Sequence, residues 1–190
     1  MQKNGVIACF DADSTCSKNF LIEVESHFKE THSASVCFYE HPINAQSGII
    51  PYELHLRYYS NALRYAGYPN SFQTLGSCIS VDSDTYIKAG GMNTRKAAED
   101  FYFLHKVAMN NPITEINHAT IYPSDRLSNR VPFGTGKALM GFKATNQLST
   151  YALDAFIDLK HYFSIWKTVL LSSSEADISP RMEAFQKQQK

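Results

Sequence analysis

The sequence predicts an α/β fold, and two features of its pattern indicate this class. Short apolar segments rich in strand-forming residues alternate with segments in which apolar residues recur every three or four positions. The composition agrees, because 44% hydrophobic and 19% charged residues are typical of a globular protein and not of a disordered one. A chain of 190 residues has room for one ordinary domain.

The first part of the chain predicts a strand, a helix and a second strand. Residues 6–10 form a continuous apolar run that ends in acidic residues rather than in a hairpin turn, which is typical of a buried strand. An amphipathic helix follows, with Ser17 as its N-cap. Its apolar stripe consists of Phe20, Leu21, Val24 and Phe28. Residues 35–39 predict the second strand.

The middle of the chain predicts two longer helices with short elements between them. Pro51 fits the first turn of a helix, and Gly67 stands where that helix should end. The next predicted elements are a strand at 76–81, a single helical turn at 84–88 and a loop at 89–93. Glu99 and Asp100 then begin a helix, because acidic side chains are favoured at a helix N-terminus.

The last part of the chain predicts one strand and one long helix. Residues 113–122 alternate as a strand does, and the polar residues 124–136 predict an irregular segment. Residues 144–171 have the apolar spacing of a helix. The expected organisation is therefore a single α/β domain over residues 1–172 and a polar tail over residues 173–190.

Charge and cysteine content argue against several classes of protein. Eighteen basic and eighteen acidic side chains leave no basic surplus, so no nucleic-acid partner is expected. The four cysteines form no CxxC pair, which makes a zinc cluster or a disulfide framework improbable. Neither a signal peptide nor a transmembrane segment is predicted, and reduced thiols then favour the cytoplasm.

Two acidic motifs are the candidates for chemistry. Asp11 and Asp13 follow an apolar strand, where two carboxylates one residue apart can hold one hard cation while a substrate phosphate completes its shell. The alternative is a solvated turn that caps the next helix. The second motif is Glu99-Asp100, which the preference of helix N-termini for acids also explains.

Taken in order, four features of the chain resemble the second half of family 2 glycosyltransferases, which have the glycosyltransferase A-type fold. They are Asp11-Ala12-Asp13 at a strand end, the strand at 76–81, the loop Ala89-Gly90-Gly91-Met92 and Ala98-Glu99-Asp100. The resemblance covers residues 4–125. It implies a partial A-type mixed sheet flanked by helices, without the strand-helix units that bind the nucleotide in that family. The isolated chain is therefore expected to be weak or inactive in transfer.

The resemblance also implies roles for individual residues. The two aspartates, Asp11 and Asp13, would hold Mn²⁺ or Mg²⁺ against the diphosphate of a nucleotide-sugar donor. Asp100 would be the base that deprotonates a hydroxyl of a glycan, lipid or other acceptor. Glu99 would contact this acceptor or orient the loop. The acceptor-side loop would contain Gly90 and Gly91. The implied reaction is an inverting, metal-dependent glycosyl transfer.

Other interpretations stay open beside this one. Arg126 and Arg130 are candidates for binding phosphate or acceptor, because a guanidinium matches such anions, or they hold a surface loop by bonds to backbone carbonyls. The chain could also be a non-catalytic module that binds carbohydrate or a partner chain. Such a module would not need both Asp13 and Asp100. Without preceding strands, residues 5–10 would leave an apolar strand edge through which a homodimer could form.

Overall fold

The computed structural model describes residues 5–43, 48–94, 98–127 and 134–171, and its elements are numbered within these ranges. The strands are Val6–Ala8 (β1), Thr15–Cys16 (β2), Ala34–Tyr39 (β3), Ile79–Asp82 (β4) and Ile113–Tyr122 (β5). The helices are Phe20–Glu30 (α1), Ile49–Ala66 (α2), Ser83–Lys88 (α3), Glu99–Ala108 (α4), Thr135–Thr145 (α5) and Leu153–Leu171 (α6). A single 3-10 turn, Gly76–Cys78, leads into β4.

The chain divides into two compact units. The first unit comprises residues 1–56 and 72–148 and contains the sheet. The second comprises residues 57–71 and 149–190. Within the second unit, the rings of Tyr58 and Tyr59 pack edge-on against Phe156, with centroids about 6 Å apart.

The five strands form one mixed sheet in the order β1-β4-β3-β5-β2. β3 and β5 are parallel, whereas β4 is antiparallel to both β1 and β3, and β2 is antiparallel to β5. It follows that β1, β3 and β5 run in the same direction, and their C-terminal ends lie at one edge of the sheet. The predicted α/β class is confirmed at this level, as a mixed sheet with helices.

Helices pack on both faces of the sheet. The side chains of each strand alternate between the two faces, so one strand contributes to both apolar clusters. On one face, Cys37 and Tyr39 of β3 belong to an apolar cluster with α1. On the other face, Ala34 and Val36 of β3 belong to a cluster with α4. The α4 members of that second cluster are Phe103, Leu104 and Val107, all of them buried.

The start of the chain departs from the predicted pattern in three ways. β1 ends at Ala8, so the expected strand at 6–10 is shorter by two residues. β2 was not predicted, because two residues carry no readable alternation. The expected capping role of Ser17 is wrong: its hydroxyl oxygen accepts a hydrogen bond from the Thr120 amide instead, and α1 begins after Asn19.

The helix predicted at 144–171 is confirmed only over Leu153–Leu171, which is α6. Residues 144 and 145 end a separate helix, α5, which the sequence analysis does not predict. α5 ends at Thr145, because Asn146 adopts a left-handed conformation with φ of 53°. The Thr145 hydroxyl donates to the Gly141 carbonyl and accepts from the Gln147 amide, which stabilises the end of the helix. α6 begins only at Leu153.

β1 is the terminal strand on one side of the sheet, and both Val6 and Ile7 are exposed there. The homodimer through the exposed strand β1 stays a prediction.

None of the helices in the described part of the chain combines the length and apolar character that a membrane-spanning helix needs.

Two glycines allow backbone strain and steric overlap to be measured separately. Gly48 has φ of +75°, and a Cβ there would overlap the Phe142 ring, 2.7 Å from its Cγ. Gly67 has a similar φ of +82° but open space around it. We expect Gly67→Ala to lower the free energy of unfolding by about 1–2 kcal/mol. Gly48→Ala should cost a further 1–3 kcal/mol, on the order expected for overpacking.

Chemical denaturation of the two alanine variants would check this difference. The double variant Gly48→Ala, Phe142→Ala serves as the control, because it removes the overlap and keeps the backbone strain. Equal destabilisation by Gly48→Ala and Gly67→Ala would show that the Phe142 ring moves aside without cost.

Candidate functional site

One edge of the sheet gathers most of the residues that could carry chemistry. Asp11 and Asp13 follow β1, His41 follows β3, and Arg126 follows β5. Gly76 lies at the same edge because β4, which it precedes, runs in the opposite direction. In open α/β sheets, ligands bind beside the carboxyl ends of the strands. The topology therefore defines this edge as the candidate site.

The chain between β1 and β2 carries both aspartates across this edge. β1 and β2 are the two outermost strands of the sheet, so residues 9–14 must pass the ends of the strands between them. The crossing begins where the Cys9 amide donates to the Ile79 carbonyl of β4, at 2.8 Å. It contains a turn in which the Ser14 amide donates to the Asp11 carbonyl, at 3.0 Å.

Asp13 forms an ion pair with Arg126. Its Oδ2 lies 2.5 Å from the Arg126 Nε, with side-chain exposures of 34% for Asp13 and 61% for Arg126. The register of β2 and β5 explains the encounter, because Thr15 pairs with Tyr122 and the two chains continue past each other from there. The structure thus brings together two residues that sequence reasoning had placed in the same site.

Asp100 lies in the first turn of α4, half-buried beside the 3-10 turn. Its Oδ1 accepts a hydrogen bond from the Phe101 amide at 2.7 Å. Its Oδ2 lies beside Gly76, where a Cβ added to this glycine would be 3.4 Å away, an ordinary van der Waals distance. Asp100 therefore lies beside the turn that leads into β4, at the same edge of the sheet as the ends of β1 and β3.

The pKa of the Asp100 carboxyl is raised above its ordinary value. Burial is the largest cause, and the negative charges of Glu99 and Asp11 add to it, whereas hydrogen bonds from the Phe101 and Asp100 amides act in the opposite direction. The pKa of the Cys9 thiol is also raised, mainly by burial and further by the negative charges of Asp11 and Asp100. The two acidic motifs, far apart in sequence, are therefore close enough to interact electrostatically.

The glycine loop after α3 packs against neighbouring elements of the same unit. Gly90 and Gly91 have φ of +75° and +68°, and a Cβ on Gly91 would lie 3.2 Å from the Tyr86 ring. The Met92 amide donates to the Tyr86 hydroxyl, and Lys106 of α4 donates to the Ala89 carbonyl. These contacts hold the loop against α3 and α4. Arg130, the other predicted anion-binding residue, lies outside the described residues.

Sequence reasoning missed a buried hydrogen-bonded chain at the end of β3. The His41 Nδ1 lies 2.5 Å from Glu53 Oε2, and its Nε2 lies 3.3 Å from the Thr135 hydroxyl. Because a carboxylate only accepts, Nδ1 donates to Glu53, and Nε2 lies within hydrogen-bond distance of the Thr135 hydroxyl. These contacts link α2 and α5 to the end of β3. The position of His41 just after a predicted strand was the signal that could have found it.

The donor chemistry of the two aspartates fits a divalent cation. Carboxylate oxygens are the ligands that Mg²⁺ and Mn²⁺ prefer, and magnesium commonly uses only one or two of them together with water and substrate phosphates. Within residues 5–43, 48–94, 98–127 and 134–171, no group of three or more His, Cys, Asp or Glu side chains could hold a metal. A divalent cation held by Asp11 and Asp13 would take its other ligands from water or from substrate phosphates.

Comparison with known proteins adds no relationship to this geometry. No protein-family model matches the chain, and no curated protein matches it. The interpretation of the site therefore rests on its residues and their arrangement.

The raised pKa of Asp100 predicts a cost in stability at neutral pH. When the pKa of a carboxyl is higher in the folded than in the unfolded chain, the folded protein loses stability as the pH rises from the unfolded-state pKa through the folded-state pKa. Asp100→Asn removes that ionisation, so the variant should have a higher Tm than the unchanged chain at pH 7. The gain should shrink as pH falls toward the ordinary pKa of aspartate. Thermal unfolding between pH 4 and 8 checks this, and a lower Tm at pH 7 would contradict it.

The buried position of His41 predicts a stability effect for its partner. Glu53→Gln replaces the charged acceptor of the Nδ1 proton by a neutral amide, and we expect a loss of about 1–3 kcal/mol in the free energy of unfolding. Glu25→Gln is the matched control, because it removes the exposed ion pair with Lys29 and should change stability by less than about 1 kcal/mol. Urea unfolding measures both. Equal effects would mean that the His41 contact is no stronger than a surface pair.

Proposed function

We propose that this chain is the acceptor-side part of a metal-dependent, inverting glycosyltransferase that resembles family 2 enzymes with the A-type fold. The observation that carries the proposal is that the two acidic motifs lie at the same edge of the sheet, since Asp11 and Asp13 follow β1 and Asp100 lies beside Gly76, just before β4. Asp11, on the crossing after β1, helps to raise the pKa of Asp100 at the start of α4. An enzyme of this class needs a cation site on one side of the reacting sugar and a base on the other.

The architecture supports the proposal in a second way. Three of the four features that resemble family 2 lie at the sheet edge where α/β proteins bind ligands, namely Asp11-Ala12-Asp13, the start of the strand at 76–81 and Ala98-Glu99-Asp100. A helix start rich in acids would explain Glu99-Asp100 alone. It would not explain why Asp100 lies within electrostatic reach of Asp11 and against a glycine before β4.

Asp11 and Asp13 would hold the cation and the donor end of the reaction. A bound divalent cation would neutralise the negative charge that develops on the leaving diphosphate. Arg126 adds a permanent positive charge next to Asp13 and presents guanidinium nitrogens that match phosphate oxygens. This corner of the site is therefore suited to the diphosphate and not to the acceptor.

Asp100 would act on the acceptor. The acceptor hydroxyl oxygen attacks the anomeric carbon of the donor sugar and its proton passes to the Asp100 carboxylate. The bond from that carbon to the diphosphate oxygen breaks with its electron pair, and the configuration inverts. A raised pKa makes Asp100 a stronger base than an ordinary aspartate, as long as it is ionised at the working pH.

The proposal predicts different losses for the two aspartates. Calorimetric titration of the 190-residue chain with nucleotide-sugars and free nucleotides, each with and without Mn²⁺, should reveal cation-dependent binding. Asp13→Asn should weaken this binding at least tenfold, because it removes a ligand of the cation. Asp100→Asn should leave this binding within about twofold, because only the base is lost, and it should abolish transfer to acceptor in the intact parent protein.

Glu25→Gln serves as the charge-matched control, since Glu25 is an exposed residue of α1 paired with Lys29. Equal loss of donor binding in Asp13→Asn and Asp100→Asn would overturn the division of roles. Binding of carbohydrate that needs neither Mn²⁺ nor Asp13 would favour the non-catalytic module instead.

A further inference from the structure

The ion pair between Asp13 and Arg126 occupies the place where the proposed cation must bind. Asp13 Oδ2 lies 2.5 Å from the Arg126 Nε, so this carboxylate oxygen already has a charged partner. Arginine keeps its charge throughout the physiological range, so the pair does not open by titration. A cation that takes this oxygen has to displace the guanidinium or share the carboxylate with it.

The position of Arg126 follows from the backbone. The pairing of Thr15 with Tyr122 brings the chain before β2 alongside the chain after β5, and Arg126 reaches Asp13 across that pairing. The Arg126 amide also donates to the Ser124 hydroxyl at 3.3 Å, which fixes the backbone just before the side chain. Arg126 itself is exposed, so its guanidinium can leave Asp13 without opening the core.

A diphosphate offers the guanidinium an alternative partner. Guanidinium groups bind phosphate oxygens through two parallel hydrogen bonds, and the Nε that now faces Asp13 can take part in such a pair. If a diphosphate takes Arg126, the Asp13 carboxylate is released for the cation, whose own charge then binds the same diphosphate. Each ligand removes an obstacle to the other, so each should raise the affinity of the other by the same factor.

We propose that Arg126 is an internal counter-ion of Asp13 that moves to the donor diphosphate, so that cation and diphosphate bind cooperatively. This inference rests on the proposed function and deepens it, because it concerns how the same site is loaded. Arg126 is therefore a positioning residue. It neutralises Asp13 when the site is empty, and it binds the leaving group when the diphosphate is present.

The test is a titration with Mn²⁺ alone, followed by paramagnetic resonance of the free ion, on the 190-residue chain. Arg126→Ala should bind Mn²⁺ about two- to fivefold more tightly than the unchanged chain, the range that an exposed ion pair allows. Arg126→Lys, which keeps the charge, should bind about as the unchanged chain does. Asp13→Asn marks the site and should lose most of the binding.

Lys29→Ala is the matched control for net charge. Lys29 is 67% exposed and pairs with Glu25 at 3.3 Å, so its removal deletes one positive charge and one exposed ion pair, as Arg126→Ala does. Its helix ends where the chain turns into the start of β3, at the opposite edge of the sheet from Asp13. If Lys29→Ala and Arg126→Ala raise the affinity for Mn²⁺ equally, the effect comes from long-range charge alone, and the inference is overturned.

A second titration adds inorganic pyrophosphate at matched concentrations of free Mn²⁺. Pyrophosphate should tighten Mn²⁺ binding to the unchanged chain, and this coupling should fall by two- to fivefold in Arg126→Ala. Mn²⁺ binding of equal strength in both chains, dependent on Asp13, would overturn the inference and leave the proposed function in place. Absence of Asp13-dependent Mn²⁺ binding in every variant, with or without pyrophosphate, would overturn both.

Discussion

The crossing of residues 9–14 from β1 to β2 is the constraint on which the candidate site depends. These strands are the outermost of the five, so the crossing spans four inter-strand spacings, about 19 Å at the usual separation. Seven residue steps would reach about 24 Å if fully extended, and the turn between Asp11 and Ser14 shortens this reach. The segment has little slack, and it therefore lies along the carboxyl ends of β3 and β5 with Asp11 and Asp13 on it.

The other parts of the site take their positions from the same crossing. Its first residue, Cys9, is tied to β4 by a backbone hydrogen bond, and the turn that leads into β4 contains Gly76, which lies beside Asp100. Its last residues lead into β2, whose pairing with β5 brings Arg126 within reach of Asp13. One short segment thus sets the separation between the Asp13–Arg126 ion pair and Asp100.

Local patterns in the sequence were sufficient for most elements but not for their connections. The periodic stripe of α1 and the apolar run of β3 are long enough to be recognised, and the acids at the start of α4 follow from the helix dipole. β2 is two residues long and exists only through its pairing with β5, so nothing local indicates it. His41 gains its role from partners on α2 and α5 that are distant in sequence. The acidic motifs could be found by position, whereas their contact depends on strand order, which pattern alone does not determine.

The parallel pairing of β3 with β5 has a consequence for how the protein reaches this state. It joins segments about 80 residues apart, as the contact between Cys37 and the Ala119 carbonyl illustrates with a separation of 82. Such pairing requires closing a long loop before its contacts are made, which slows folding. Since β5 also carries β2 and Arg126 into place, the crossing over the sheet edge is completed only after this late step. Nascent or partly folded chains would therefore hold both acidic motifs without the geometry that joins them, and ligand affinity would appear together with the native fold rather than before it.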